Sequence, residues 1–242
     1  MLKASLNLDR AKMHAAATVC VSGGLDSCVL LAKMAEYFPK VYPVFVRNGY
    51  SWEDVELDYL KKFISKLDNP AIEPLKEALL PLDESLREYW WKKDFIPGYT
   101  EGYSANFIPG RNLLLLNSVL MLTYVNKSPN IALGILAGNP YPDSQIEFFS
   151  SFEKTVCLAM EFEIRILTPL LHLEKDEVIR MGKDYPLELS FSCANPQGGL
   201  HCGAYCNKCA ERQKGFFLSG ITDRTEYAFP PPKVDWYNHK WD

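Results

Sequence analysis

The feature that most constrains the sequence is a six-residue loop, Ser22-Gly23-Gly24-Leu25-Asp26-Ser27. Residues 18–21 before it are mostly apolar and β-branched, which predicts a buried strand. Residues 26–37 have apolar side chains at helical spacing, which predicts a helix. A strand that turns through two glycines into a helix brings backbone N–H groups and the positive end of the helix dipole to one point. The loop therefore predicts an anion site in an α/β protein.

The residue types of this loop suit a phosphate group. Its two glycines let the main chain approach phosphate oxygens closely, and the hydroxyls of Ser22 and Ser27 can donate hydrogen bonds to them. Asp26 is a candidate magnesium ligand, because Mg²⁺ prefers oxygen ligands. The lysine of Walker-type phosphate loops is missing. The alternative interpretation is a glycine turn with a capping aspartate and no ligand.

Strand-like and helical segments alternate along the rest of the chain. This alternation predicts a doubly wound parallel sheet, because parallel neighbours need crossover connections. Further strands are predicted at 41–46, 71–75, 131–136 and 164–167. Helices are predicted after a Ser51 cap, over 82–91, from Arg111 to Val125, and over 144–161.

Length and composition limit the remaining possibilities. A chain of 242 residues accommodates one α/β domain with an appendage. We divide it into an α/β domain at 1–188, a cysteine-rich loop and helix at 189–219, and an extended tail at 220–242. The formal charge of −4 argues against broad binding to a nucleic-acid backbone and favours a small-molecule substrate. We see neither a secretory signal nor a membrane span, and therefore expect a cytoplasmic protein without a membrane partner.

Four of the seven cysteines crowd into one short segment, with the spacing Cys193-x8-Cys202-x3-Cys206-x2-Cys209. Four soft ligands at this spacing can close a tetrahedron around Zn²⁺ and leave no coordination position open. We therefore predict a structural zinc-binding loop. Replacement of one thiol by the adjacent His201, or four unligated cysteines, are the alternatives.

The order of strand, SGG-x-DS loop and helix is the signature of the PP-loop ATP pyrophosphatases. Within that class, several later segments are similar to those of the 7-cyano-7-deazaguanine synthase (QueC) family, and the resemblance extends from about residue 18 to 217. It implies a Rossmann-like fold of the adenine nucleotide alpha hydrolase type. The segments are Phe107-Ile108-Pro109-Gly110-Arg111-Asn112, Tyr141-Pro142-Asp143 with Phe148, Thr168-Pro169-Leu170 with Lys175, and the cysteine loop running into Arg212 and Gly215-Phe216.

The resemblance implies a reaction and a role for each matching residue. Members of this family use ATP and Mg²⁺ to adenylate 7-carboxy-7-deazaguanine, after which ammonia displaces AMP to give an amide. A second ATP-dependent step converts that amide to the nitrile. The implied roles are ATP binding by Ser22, Gly23, Gly24, Leu25, Asp26, Ser27 and Phe45, catalysis by Asp26, Arg111 and Lys175, and substrate binding by Arg111, Asn112, Tyr141 and Asp143.

Other roles for these residues stay open, since Arg111, Lys175 and Asp143 also suit ordinary charged positions at helix starts. The chain departs from the family pattern after Phe45, where a D-Y-G-Q-R-H-like segment is replaced by residues 46–52. The cysteine loop has one extra residue between its second and third thiols. The aromatic, proline-rich tail is a third departure, and it suits a strap on its own domain, a contact with a partner protein, or a contact within a homodimer.

These departures keep three alternatives to the nitrile-forming enzyme in view. The first is a QueC-like paralogue that transfers the activated deazaguanine carboxylate to another amine, such as an amine on a protein. The second is a tRNA-thiolating ligase of the PP-loop class, which needs a persulfide-carrying cysteine and a basic RNA-binding face. The third is a nucleotide-binding scaffold that has lost turnover.

Overall fold

The fold is given by a computed structural model that describes residues 8, 11, 12, 14–80 and 96–239. Its centre is a five-stranded sheet in the order β3-β2-β1-β4-β5, in which every neighbouring pair is parallel. The strands are β1 (Ala17–Cys20), β2 (Val41–Arg47), β3 (Lys76–Leu79), β4 (Asn130–Ala132) and β5 (Arg165–Leu167). The predicted parallel sheet is therefore confirmed.

Helices cover both faces of the sheet, so the fold is doubly wound. They are α1 (Leu25–Tyr37), α2 (Glu53–Leu67), α3 (Arg111–Val125), α4 (Ile146–Met160), α5 (Lys175–Met181) and α6 (Asn207–Ser219). The core on one face is built from α1, α2, α5 and α6, and the core on the other face from α3 and α4. In the described part of the chain, no helix has both the length and the apolar character needed to cross a bilayer.

The central strand β1 explains why the phosphate-type loop lies where it does. Ala17 and Val19 pack into the α1 side of the core and Cys20 into the α3 side, so the strand is buried on both faces. Its neighbours are β2 and β4, and the chain therefore reverses its direction of winding beside β1. Ligands of open α/β sheets bind at such a switch point, beyond the carboxyl ends of the strands. The loop at residues 22–27 begins there.

Several element boundaries differ from the prediction. The third strand is Lys76–Leu79 and not 71–75, a segment that contributes one bridge between Ile72 and Val41. This strand lies at the sheet edge, where charged residues are common and the apolar pattern is a poor guide. β4 is shorter than the predicted strand at 131–136. The helix predicted over 82–91 lies outside the described residues.

Two helices begin later than predicted, because short turns precede them. α2 begins at Glu53 with Trp52 as its N-cap, and Ser51 is not the cap. α4 begins at Ile146, after a 3-10 turn over Pro142–Ser144. The 3-10 turn ends at the residue where the predicted helix was to begin, so the difference is two residues.

The tail lies against the cysteine-rich loop of its own chain. The backbone N–H of Ala228 donates to the carbonyl of His201 at 2.8 Å, and that of Phe229 donates to the carbonyl of Cys202 at 3.3 Å. At Gly203, whose φ is +83°, a Cβ atom would lie 2.2 Å from the Phe229 carbonyl oxygen. Only glycine allows the two segments to approach so closely. Further along, the ring of Trp236 is buried.

Arg212 of α6 is almost fully buried and joins three parts of the structure. Its guanidinium donates to the Ser190 hydroxyl at 2.9 Å, the Leu187 carbonyl at 2.8 Å and the Thr225 hydroxyl at 2.7 Å. It also lies 5.1 Å from the centre of the Phe216 ring. All of these partners are neutral, so the buried cation is stabilised by hydrogen bonds and a cation–π contact. Arg212 therefore ties the start of the tail to the α/β domain.

We predict that Arg212→Ala lowers the free energy of unfolding by about 3 kcal/mol, because it leaves buried acceptors unpaired and opens a cavity. Arg180→Ala is the matched control: Arg180 is 45% exposed and pairs with Asp176 on the surface. We expect Arg180→Ala to lower the free energy of unfolding by less than about 1 kcal/mol. Urea unfolding of both variants measures the difference, and equal losses would contradict the assigned role of Arg212.

Candidate functional site

A cleft with a cavity volume of about 280 Å³ opens at the carboxyl edge of the sheet. Its walls come from the loop after β1, the ends of β2 and β4, the start of α3, and α6 with the segment before it. The volume is near the lower end of the range for small-molecule sites. Among the residues predicted from the sequence, those lining the cleft are Ser22, Gly24, Leu25, Asp26, Ser27, Phe45, Arg111, Asn112, Tyr141, Asp143 and Lys175, together with Cys193.

The phosphate-type loop is held in shape by its own hydrogen bonds. The Ser22 backbone N–H donates to the Ser27 hydroxyl at 3.2 Å, and that hydroxyl donates to the Gly24 carbonyl at 2.9 Å. Gly23 lies behind the loop, where a Cβ atom would be 2.7 Å from the Glu56 carbonyl oxygen. Helix α1 then begins at Leu25, with Gly24 as its N-cap and no side chain over its first N–H groups. These groups remain available to an anion.

Asp26 and Lys175 form an ion pair inside the cleft. The Lys175 ammonium lies 2.5 Å from Asp26 Oδ2, and each side chain is about a quarter exposed. Asp26 Oδ1 is buried and has no hydrogen-bond partner among the described residues. A buried carboxylate oxygen without a partner is costly, and it suits a hard divalent cation that takes one protein carboxylate together with phosphate oxygens. Asp26 therefore fits the predicted Mg²⁺, and Lys175 fits a contact to phosphate.

The start of α3 is fixed by Asp143. The Asn112 backbone N–H donates to Asp143 Oδ2 at 2.7 Å, and the Asn112 side chain donates to the Asp143 carbonyl at 3.1 Å and the Ser144 hydroxyl at 3.0 Å. The two predicted substrate residues are thus bonded to each other. Their arrangement places Arg111 at the first position of α3, where its positive charge acts on the Tyr50 hydroxyl.

Glu56 lines the same cleft and was not among the residues singled out from the sequence. Burial raises the pKa of its carboxyl group to about 8, and the nearby cation Arg111 opposes part of this rise. In the sequence, Glu56 is one acidic residue in the first turn of an amphipathic helix, where acidic residues are ordinary. Nothing local distinguishes it from its acidic neighbours, so only the fold identifies it.

Asn106 was also missed, although it lines the cleft and is only 8% exposed. Both the oxygen and the nitrogen of its side-chain amide are buried without a hydrogen-bond partner in the described structure. An amide offers a donor and an acceptor side by side, and leaving both unpaired is unfavourable. A ligand with a complementary polar edge would satisfy them. In the sequence, its one signal is its position directly before the family-like segment at 107–112.

The four predicted metal ligands converge at one point. All four Sγ atoms lie within 4.8 Å of one another, and the closest pairs are 3.5, 3.6 and 3.8 Å apart. Sulfur atoms around one tetrahedral Zn²⁺ would be separated by about 3.8 Å. Backbone N–H groups of Asn195 and Cys202 donate to the Cys193 sulfur at 3.3 and 3.2 Å, which stabilises a thiolate. The donor set therefore fits a closed zinc site.

His201 does not join this cluster. Its ring packs on Phe191 with centres 4.3 Å apart, and its Nε2 accepts a hydrogen bond from the Ser192 backbone N–H at 3.1 Å. Burial lowers the pKa of His201 well below its usual value, so the ring is neutral. In the described residues, the grouped ligands are the four cysteines.

The cysteine-rich segment forms one wall of the cleft. The Phe191 backbone N–H donates to the Gly23 carbonyl at 2.7 Å, which joins this segment to the phosphate-type loop. Cys206 is the N-cap of α6, and its sulfur accepts a hydrogen bond from the Cys209 backbone N–H. The first turns of α6 then bring Lys208 and Glu211 to the cleft. The cysteine cluster therefore lies at the start of the helix that brings these charged residues to the candidate site.

A parallel 3-2-1-4-5 sheet with the phosphate-type loop at its switch point defines a doubly wound, Rossmann-like α/β fold. The model of the family "Queuosine biosynthesis protein QueC" matches residues 16–220, and the chain belongs to this family. Proteins named 7-cyano-7-deazaguanine synthase are among its relatives.

Three of these relatives illustrate the degree of similarity. The one from Leptospira interrogans serogroup Icterohaemorrhagiae serovar copenhageni is 33% identical over 221 residues, covering 86% of this chain and 89% of the relative. That of Leptospira biflexa serovar Patoc is 34% identical over 232 residues, covering 86% and 92%. That of Syntrophobacter fumaroxidans is 29% identical over 233 residues, covering 88% and 96%.

Two solved structures show a more distant likeness. A 4-thiouridine synthetase in complex with RNA and ATP gives a TM-score of 0.46 at 14% identity, and the match covers 73% of this chain and 42% of that one. The NMN synthetase from Francisella tularensis gives a TM-score of 0.41 at 13% identity, covering 90% and 82%.

We predict that Cys206→Ala abolishes stoichiometric zinc binding and lowers the free energy of unfolding by several kcal/mol, because metal binding and folding are coupled in such segments. Metal analysis of the purified protein and urea unfolding check this. Cys157→Ala is the matched control, since Cys157 is exposed and lies outside the cluster. A Cys206→Ala variant with full zinc content and unchanged stability would rule out the assignment.

Proposed function

We propose that this chain activates a deazapurine carboxylate with ATP and then aminates it, as a 7-cyano-7-deazaguanine synthase. The substrate would be 7-carboxy-7-deazaguanine, activated as its adenylate and converted by ammonia to the amide and then the nitrile. Family membership supports the proposal, and so do the names of the relatives. The observation that carries it is that one cleft collects the phosphate-type loop, the Asp26–Lys175 pair and Arg111.

The residues of the cleft suit the charges of such a reaction. The loop amides and the start of α1 would hold the phosphates of ATP. Lys175 and Arg111 would offset charge on those phosphates and on the departing pyrophosphate, where preorganised cations contribute most. Mg²⁺ bound to Asp26 would supply further neutralisation of phosphate charge. Zn²⁺ would have a structural role, because four thiolates leave it no open position.

The remaining polar and aromatic groups suit a flat base with hydrogen-bonding edges. Tyr141 packs on Phe107 with ring centres 5.3 Å apart at the cleft mouth. Asn106 offers a buried amide donor and acceptor without protein partners in the described residues. Side-chain amides read purine edges through such paired hydrogen bonds. We therefore add Asn106 to the proposed substrate-binding residues Arg111, Asn112, Tyr141 and Asp143.

A second candidate is a paralogue that delivers the same activated carboxylate to another amine, including one on a protein. It is favoured by the segment that departs from the family pattern, because Val46, Asn48 and Tyr50 of that segment line the cleft. The departure therefore changes the pocket itself. A thiolating ligase is less well supported: burial raises the pKa of Cys20, the cysteine of this cleft outside the zinc cluster, to about 12, which disfavours the reactive thiolate.

We expect the purified, zinc-loaded protein to release pyrophosphate and AMP when it receives ATP, Mg²⁺, 7-carboxy-7-deazaguanine and ammonia. Mass spectrometry identifies the products. Nitrile formation supports the synthase, whereas amide without nitrile, or an adduct on a protein amine, supports the paralogue. No release of pyrophosphate or AMP with the carboxylate present would contradict both and leave a nucleotide-binding scaffold.

Asp26→Asn should reduce carboxylate-dependent pyrophosphate release at least about 100-fold, because it removes the charge that faces the cation and Lys175. Its melting temperature should stay close to that of the wild type, since the side chain is not part of the core. Asp184→Asn, at an exposed position, is the matched control and should retain activity. Unchanged pyrophosphate release in Asp26→Asn would show that the cleft does not work as proposed.

A further inference from the structure

Glu56 lines the cleft but is not among the residues proposed to bind phosphate or substrate. It lies in the first turn of α2, and its backbone carbonyl oxygen packs directly behind the phosphate-type loop, 2.7 Å from where a Gly23 Cβ would be. Residues at the end of β1 and just after β4 line the same cleft. Glu56 therefore lies beside the phosphate-type loop, in the same cleft in which the proposed function places the activated carboxylate.

The groups facing Glu56 come from four elements. Arg111 of α3 and Lys208 of α6 favour its charged form, and so does a hydrogen bond from the Trp52 side chain. Glu53 of the same helix disfavours it. Glu211 and Tyr50 also line the cleft. Bound phosphates and a bound carboxylate would pair with Arg111 and Lys208. These two cations would then stabilise the charged form of Glu56 less, and its affinity for a proton would rise.

We propose that Glu56 accepts the proton that the amine nucleophile loses when it attacks the activated carboxylate. This role rests on the proposed amide-forming function. The nitrogen lone pair forms the N–C bond, the C–O bond to the adenylate breaks, and AMP leaves with that electron pair. One N–H proton passes to the Glu56 carboxylate and from there to solvent. No oxidant, reductant or further reactant is needed.

The environment of Glu56 suits this role. Burial raises the pKa of its carboxyl group from an ordinary 4.5 to about 8, close to neutral pH, where a general base is most effective. Its base form therefore increases as pH rises through about 8. The raised pKa also affects stability: the contribution of Glu56 is fully present below pH 4.5 and is lost as pH rises towards 8. Glutamine at position 56 has nearly the same shape and no charge, so the Glu56→Gln variant does not lose this stability as pH rises.

The test compares wild type with Glu56→Gln at a fixed concentration of free ammonia. Carboxylate-dependent exchange of labelled pyrophosphate into ATP without any amine, which reports adenylate formation alone, should be nearly unchanged. Amide formation from ammonia should fall about 100-fold at neutral pH. The wild-type rate should show an inflection at about pH 8 or above that the variant lacks. Asp58→Asn, an exposed change on the same helix, is the matched control.

Each outcome decides the proposal. Equal ammonia-dependent rates and pH profiles in Glu56→Gln and wild type overturn it, and so does loss of the pyrophosphate exchange, which would make Glu56 a binding residue. A wild-type protein without pyrophosphate release overturns the proposed function and this role with it. Urea unfolding adds a readout independent of activity. The stability of Glu56→Gln relative to wild type should increase between about pH 5 and pH 8, and a pH-independent difference would contradict the assigned protonation.

Discussion

The hydrogen bond from the Phe191 backbone N–H to the Gly23 carbonyl, 2.7 Å long, joins the two parts of the molecule on which the candidate site depends. On one side of it is the loop that follows the central strand, and on the other is the segment that continues into the cysteine cluster. Because Phe191 is fully buried, water does not compete for this bond. The segment that carries the cysteine cluster therefore packs directly against the phosphate-type loop, and the two line the same cleft.

The sequence was sufficient for the sheet and for the loop, because both are encoded locally. Strands buried on two faces give continuous apolar runs, and residues 22–27 carry their chemistry in one uninterrupted segment. The edge strand at Lys76–Leu79 was misplaced because solvent contact removes that apolar signal. The residues missed in the cleft, Glu56 and Asn106 among them, come from helices and loops far apart in sequence, and only the packing of these elements brings them together.

The contacts of the tail could not be predicted from the sequence either. Its proline and aromatic content identified it as a separate segment, but composition does not say what the segment contacts. The structure does, through the close approach of Phe229 to Gly203 and the bonds from Arg212 to Thr225. Both contacts lie next to the cysteine cluster. A tail that packs there adds buried area to a loop with few apolar residues of its own, which complements the stabilisation expected from zinc.

Two carboxyl groups in one cleft have different surroundings, and this difference organises the proposed chemistry. Asp26 is paired with Lys175 and has one oxygen without a protein partner in the described residues, an arrangement suited to a cation. Glu56 faces two cations, Arg111 and Lys208, yet burial outweighs them and favours its protonated form. A carboxyl group that titrates near neutral pH is suited to exchange protons. The fold thus gives the two side chains different environments, although they differ by a single methylene.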